Sequence, residues 1–240
     1  MPWYYAVAEA DHDIQNPTSR EKILQLGGYL RLDPDTRVLD VACGKCGPAI
    51  LLAQAYGCHI VGVEKAPEFV AAANERVEAA GLSHLVEVVE GDARAFPLEP
   101  ETWDVALCLG ASFAFDDLDG TVAALTPAVR SGGFLGFGEP YWLEWPLPRD
   151  VDDMGYVPLR ETVARIEAGG LALTGMIASG HDDWDRYESL HWRALEEWLA
   201  AHPDDPDAPG IRARHEQARE DYLARERRLF DWAIFVARKP

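Results

Sequence analysis

Between Val38 and Pro48 the chain runs Val38-Leu39-Asp40-Val41-Ala42-Cys43-Gly44-Lys45-Cys46-Gly47-Pro48, an apolar stretch that ends in small residues just ahead of a proline. Small side chains let the polar end of a ligand approach the backbone, and a helix opening there presents free N–H groups. Two carboxylates stand at corresponding points downstream. Glu64 closes the run Ile60-Val61-Gly62-Val63-Glu64, and Asp92 lies in Glu90-Gly91-Asp92-Ala93 after the next apolar run. A carboxylate at the end of a second strand can accept hydrogen bonds from both hydroxyls of a ribose. One at the end of a third strand is placed to accept from an exocyclic amine such as adenine offers. Either acid alone reads as a solvated strand end. Together with the turn they point to a nucleoside-bearing ligand.

These residues need a scaffold that brings three strand ends together. Short β-branched runs at 37–41, 59–63, 85–89, 103–109, 133–138, 171–177 and 230–237 predict strands. Helical stretches at 48–55, 66–80, 118–129 and 159–168 separate them, the pattern of βαβ units around a parallel sheet. Ahead of the first strand, Thr18 and Glu21 fit a capping box for a helix ending near Leu32. Residues 182–201 and 209–228 read as a helical pair split by a Pro/Asp-rich turn at 202–210. That pair interrupts two strands of one sheet, so it is expected at the sheet's rim.

On these motifs the chain resembles a class I S-adenosylmethionine-dependent methyltransferase, over residues 36 to 180 and the last strand. Gly138-Glu139-Pro140-Tyr141-Trp142 and Trp184-Asp185-Arg186-Tyr187 are similar to a bacterial small-molecule subgroup with no firmly known acceptor. The resemblance implies an α/β, doubly wound (Rossmann-like) fold with a mostly parallel seven-stranded sheet, an antiparallel last strand and a helical insertion before it. It divides the chain into an N-terminal cap segment and helix (1–35), a cofactor domain (36–181 and 229–240) and an insertion covering the acceptor side (182–228). It implies S-adenosyl-L-methionine as cofactor. Asp40, Ala42 and Gly44 would hold the methionine moiety, Glu64 with Lys65 the ribose, and Asp92 with Ala93 the adenine. The Leu109 carbonyl would accept from the methionine amine. The family's three-glycine turn stands here as Ala42, Gly44 and Cys46, so the Cys46 side chain is expected near the methionine carboxylate.

Two other readings compete for the same turn. Ala42-x-Gly44-x-x-Gly47 with Glu64 satisfies a loose dinucleotide pattern, which would make the protein a nicotinamide oxidoreductase but leaves Asp92 unused. Cys43 and Cys46 form a C-x-x-C at a helix start, where a redox pair with a lowered thiol pKa could sit. Zinc held by all four cysteines is disfavoured because Cys58 starts one strand and Cys108 ends another. No metal is expected. A cofactor-binding protein without catalysis is the remaining alternative.

The acceptor side is less determined. A general base is needed only if the acceptor loses a proton. Glu139 just after the fifth strand is the first candidate, with His181 and Asp185 next. The stripe Trp184, Tyr187, His191, Leu195 and Trp198 has helical spacing and reads first as a buried helix face. The alternative is that Trp184 and Tyr187, with Tyr5, Ser112, Phe113, Tyr141 and Trp142, line an acceptor pocket.

With 41 acidic against 22 basic residues the formal charge is −19. Such a surface repels phosphate backbones and anionic lipid. After the fourth strand, Leu109-Gly110-Ala111-Ser112-Phe113 stands where a nucleic-acid amino-methyltransferase would carry Asn/Asp-Pro-Pro-aromatic. A small-molecule acceptor is therefore expected, with neither nucleic acid nor membrane as partner. Four cysteines without a disulfide framework and no secretory signal pattern suggest a cytoplasmic protein.

Overall fold

The computed structural model describes residues 4–148, 151 and 154–240. Five strands, β1 (Arg37–Val41), β2 (His59–Glu64), β3 (Val86–Glu90), β4 (Trp103–Leu109) and β5 (Val129–Trp142), pair in parallel. Beyond them β7 (Phe230–Arg238) runs antiparallel between β5 and β6 (Ala172–Ala178). The order is β3-β2-β1-β4-β5-β7-β6. Chain direction across the sheet therefore reverses between β1 and β4, and open α/β sheets bind ligands at such a switch point.

Strand side chains alternate between two buried faces. Val38, Val105, Leu107, Ile234 and Val236 pack on one side, against α2 (Arg20–Tyr29), α3 (Gly47–Tyr56) and α4 (Pro67–Ala79). Leu39, Val41, Ala106, Phe137 and Phe235 pack on the other, against α5 (Leu118–Ala128) and α6 (Leu159–Ala168). Both faces being covered explains why the strands read as nearly continuous apolar runs. Each fully buried aliphatic or aromatic side chain there contributes about 1.5–3 kcal/mol.

The remaining helices form a separate layer. α1 (Tyr4–Ala8) packs on α7 (His181–Ala201) and α8 (Ala208–Asp221) through Tyr4, Ala8, Leu195, Leu199 and Ile211. Leu195 lies on the predicted apolar stripe and Leu199 lies outside it, and what both bury is the N-terminal segment. Arg214 stacks 3.9 Å over the Tyr4 ring and so closes the contact from α8. No helix among the described residues is long and apolar enough to cross a membrane.

Some local expectations shift. The cap of α2 is Ser19, whose hydroxyl accepts from Lys22 N–H at 3.3 Å, and not Thr18. The Pro17 and Thr18 carbonyls are held by the Ser179 hydroxyl and the Arg186 guanidinium, so the helix opens one residue later. β5 extends past residue 138 because β7 continues to pair with it as far as Trp142 opposite Phe230. The second insertion helix stops at Asp221 and passes into a π-helical turn, Tyr222–Glu226. The first 17 residues show no period, yet they contain α1.

Candidate active site

The turn after β1 is built from backbone that most residues avoid. Ala42, Gly44 and Cys46 all have φ between +54° and +57°. A Cβ on Gly44 would lie 2.2 Å from Gln15 Oε1, so glycine relieves the torsion and lets the Gln15 side chain pack against the turn. Cys46 caps α3 with its side chain fully buried, and its Sγ lies 3.4 Å from Cys43 Sγ. It points beneath the turn towards Gly62 and not towards a ligand, which corrects the expectation drawn from its position. Both thiols are free, and the Cys43 thiol is pushed up by its hydrogen bond with Cys46 and then by burial. That is the opposite of a reactive redox cysteine.

A cleft of about 1090 Å³ opens over this turn, and Asp40, Ala42, Gly44, Glu64, Lys65, Asp92, Ala93 and Leu109 all border it. Glu64 is buried, and its carboxylate accepts from the backbone N–H of Gly44 (2.9 Å), Lys65 (2.9 Å) and Ala66 (2.8 Å). It thereby ties the ends of β1 and β2 together, with one acceptor site left on Oε2. Asp92 accepts from Arg94 N–H and from the exposed Lys65 ammonium, each at 3.0 Å, and these contacts, in that order, lower its pKa. Lys65 thus reaches from the end of β2 to the acid that follows β3.

Asp40 differs from both. It is 2% exposed, and among the described residues no donor reaches its carboxylate. Burial, and then the charge of Glu64, raise its pKa to about 7. A carboxylate without a donor, on the floor of an open cleft, fits a ligand that brings its own N–H or positive charge.

The far wall comes from a segment whose role the sequence did not disclose. Gln15 Oε1 accepts from Lys45 N–H at 2.7 Å, and Lys45 Nζ donates to the Glu9 carbonyl at 2.6 Å. Asn16 Nδ2 donates to the Leu109 carbonyl at 3.0 Å, so that acceptor already has one partner. Gly110 (φ +78°) lies beneath Asn16, whose Nδ2 would be 2.4 Å from a Cβ there. The glycines of these two turns were the only sequence hint that another segment passes close by.

Comparison with known proteins identifies the family. The "Methyltransferase domain" family matches residues 38–133, the span from β1 to the start of β5. The chain is 30% identical to an S-adenosylmethionine-dependent methyltransferase of Thiobacillus denitrificans solved with S-adenosylhomocysteine, covering 100% of this chain and 99% of that one with a TM-score of 0.92. The chain belongs to the S-adenosylmethionine-dependent methyltransferase family. A second such methyltransferase, from Geobacter sulfurreducens and also in complex with S-adenosylhomocysteine, is 31% identical with a TM-score of 0.93, covering 100% of this chain and 99% of that one. The Escherichia coli protein YjhP is 30% identical over 243 residues, 98% of each chain. The methyltransferase takes S-adenosylmethionine as its cofactor, and the nicotinamide and non-catalytic readings fall.

The acceptor-side candidates of the methyltransferase are dispersed. Tyr5, Phe113 and Tyr187 border the cleft, with Tyr5 and Phe113 exposed. Trp184 instead donates to Asp231 at 2.9 Å and packs on Phe230, while Tyr141 and Trp142 are buried in the core clusters beside β7. Tyr141 and Trp142 close β5 and Trp184 stands in α7, and long-range packing holds all three away from the cleft lining. Ser112 stands in the short 3-10 turn Ser112–Phe115 and donates to Glu139 at 3.2 Å. Glu139 is buried, its other carboxylate oxygen has no partner among the described residues, and burial raises its pKa to about 7. His181 is exposed at the start of α7, outside the cleft lining. Asp185 is held by Arg227 (2.8 and 2.9 Å) and the Tyr222 hydroxyl (2.7 Å), which lower its pKa to about 2. Such a carboxylate is a poor proton acceptor, so its role is to fasten α7 to the π-helical turn.

Proposed function

We propose that the enzyme methylates a small molecule held between the β4 end, the N-terminal segment and α7. The observation that carries this reading is the composition of one cleft: Gly44, Glu64 and Asp92 border it together with Tyr5, Phe113 and Tyr187. Within it, Asp40, Ala42 and Gly44 bind the amino-acid end of the cofactor, Glu64 the ribose, and Asp92 with Ala93 the adenine. Lys65 neutralises Asp92 at the rim. The Leu109 carbonyl keeps its second lone pair for the methionine amine while Asn16 holds the first.

When bound, the cofactor supplies a sulfonium methyl that transfers in line, and its charge disperses as it does so. The protein's part is alignment and exclusion of water. Residues 182–228 and the N-terminal segment act together as the acceptor-side cover. Tyr187 and the exposed Phe113 offer ring faces to a flat or cationic acceptor. Glu139, poised near neutrality, is the group for an acceptor that must lose a proton, with Ser112 as its link to the cleft wall. A net charge of −19 supports a metabolite over a nucleic acid, and four unpaired thiols support a cytoplasmic location.

The test is S-adenosylhomocysteine release over a panel of amines, phenols and carboxylates, with transfer RNA and duplex DNA as polymeric substrates. Turnover on a small molecule that falls sharply in Tyr187→Ala supports the reading. Turnover on the polymers alone would sink it.

A further inference from the structure

A second group of titratable side chains lies at the edge of the cleft, where the N-terminal segment meets α7. Glu9 and His12 sit three residues apart on the turn after α1, and His191 faces them from α7. His12 Nε2 is 2.9 Å from the Tyr187 backbone carbonyl. A carbonyl only accepts, so Nε2 carries a proton, and in the neutral ring Nδ1 presents a lone pair. Nδ1 faces Glu9 Oε2 at 3.4 Å, with side-chain exposures of 0% and 8%. Neither atom has a hydrogen-bond partner among the described residues. Two buried acceptors held face to face repel one another.

Something positive between them would reverse the sign, and the spacing selects what. An N–H donor about 2.9 Å from both atoms would have its two bonds only about 70° apart, far below the angle between N–H bonds. An ion with bonds of about 2.1 Å to each subtends about 108°, close to tetrahedral. His191 supplies a third donor, its Nε2 3.0 Å from Glu9 Oε1. Its Nδ1 lies 3.9 Å from Glu188 Oε2, from where a shift of about 1 Å would make the carboxylate–imidazole hydrogen bond that orients ligand histidines.

The geometry points to a divalent transition-metal site with Glu9, His12 and His191 as ligands. Two imidazoles and one carboxylate suit Zn²⁺, Co²⁺, Ni²⁺ or Fe²⁺ over Mg²⁺ or Ca²⁺. The three donor atoms lie within 4.8 Å of one another and draw in to about 3.4 Å on loading. His191 Nε2 gives its proton to solvent as it coordinates, and no oxidation state changes. Glu9 and Tyr187 border the cleft, so the ion stands beside the acceptor region with a fourth position for water or an acceptor heteroatom. This inference is independent of which acceptor is methylated.

Chelator-treated, dialysed full-length protein titrated calorimetrically with Zn²⁺ and Co²⁺ tests it. One ion per chain is expected, with a visible Co²⁺ spectrum of four- or five-coordinate intensity and no thiolate-to-cobalt charge-transfer band. Glu188→Gln weakens binding about 10-fold to 100-fold, and His12→Gln and His191→Gln weaken it more. Circular dichroism and S-adenosylhomocysteine affinity report whether each variant is folded. Absence of binding to the wild type overturns the site. So does binding that survives His191→Gln but disappears in Cys43→Ser. Should the histidine variants misfold, a thiolate band in wild-type Co²⁺ protein overturns it and its absence with stoichiometric binding upholds it.

Discussion

The side chain of Asn16 and the carbonyl of Leu109 are 93 residues apart in sequence and 3.0 Å apart in space. That bond joins the N-terminal segment to the end of β4 at the rim of the cleft. The segment is therefore part of the cleft wall.

Replacing Asn16 with Ala should loosen that wall. Loss of one partly buried hydrogen bond costs about 1 kcal/mol of stability. S-adenosylhomocysteine should bind several-fold more weakly, because the segment that borders the cleft is no longer anchored. Thermal melts and calorimetry on the same sample measure both.

Gly44 and Gln15 should behave as a coupled pair. Gly44→Ala places a Cβ on Gln15 Oε1 in a backbone region with φ +55°, and the torsion alone costs about 1 kcal/mol or more. Gln15→Ala in the same chain removes the clash and leaves the torsion. A double-mutant cycle on stability should therefore show partial rescue. Strict additivity would mean that the two residues do not meet.

Glu64→Gln and Glu64→Ala separate two duties of one carboxylate. Each loses charge-assisted bonds worth about 1.5–3 kcal/mol apiece. Glu64→Ala also leaves the N–H groups of Gly44, Lys65 and Ala66 without their acceptor. Affinity for S-adenosylhomocysteine should fall at least tenfold in both, and the melting temperature should fall further in Glu64→Ala. Unchanged affinity in Glu64→Ala would remove the ribose assignment.

Asp40 predicts a pH dependence of stability. Its pKa rises from 3.8 to about 7 in the folded chain. The neutral acid is thus favoured in the native state, so its contribution is fully present below about pH 4 and lost as pH rises through about 7. Asp40→Asn should match the wild type near pH 4 and be progressively more stable than it between pH 5 and pH 8. Calorimetric melts across that range give the difference curve. A flat curve would mean that the carboxylate is not desolvated.

Glu139 and Asp185 should differ in their pH–rate profiles. Glu139→Gln should abolish a limb near pH 7 for any acceptor that must be deprotonated. Asp185→Asn should keep the wild-type profile and lose at most about 1 kcal/mol of stability, since its ion pair with Arg227 is solvent-exposed. A limb lost in Asp185→Asn would return that residue to the chemistry.

What the sequence determined by itself is one rim of the cleft. The turn of small residues, Glu64 and Asp92 each follow a strand whose apolar run is legible locally, and parallel βαβ connection brings their ends to one edge. Residue type and short-range period are enough for that. The tertiary structure alone decided the acceptor side. Trp184, Tyr141 and Trp142 have the right composition for a pocket but are drawn into packing around β7. Asp185 is claimed by Arg227 and Tyr222, 42 and 37 residues away. Residues 9–16 carry no periodic signal, and their partners lie on the β1 turn, β4 and α7. Contacts between distant segments leave no trace in local pattern. Here they are fixed by which buried polar groups find partners once the core has closed.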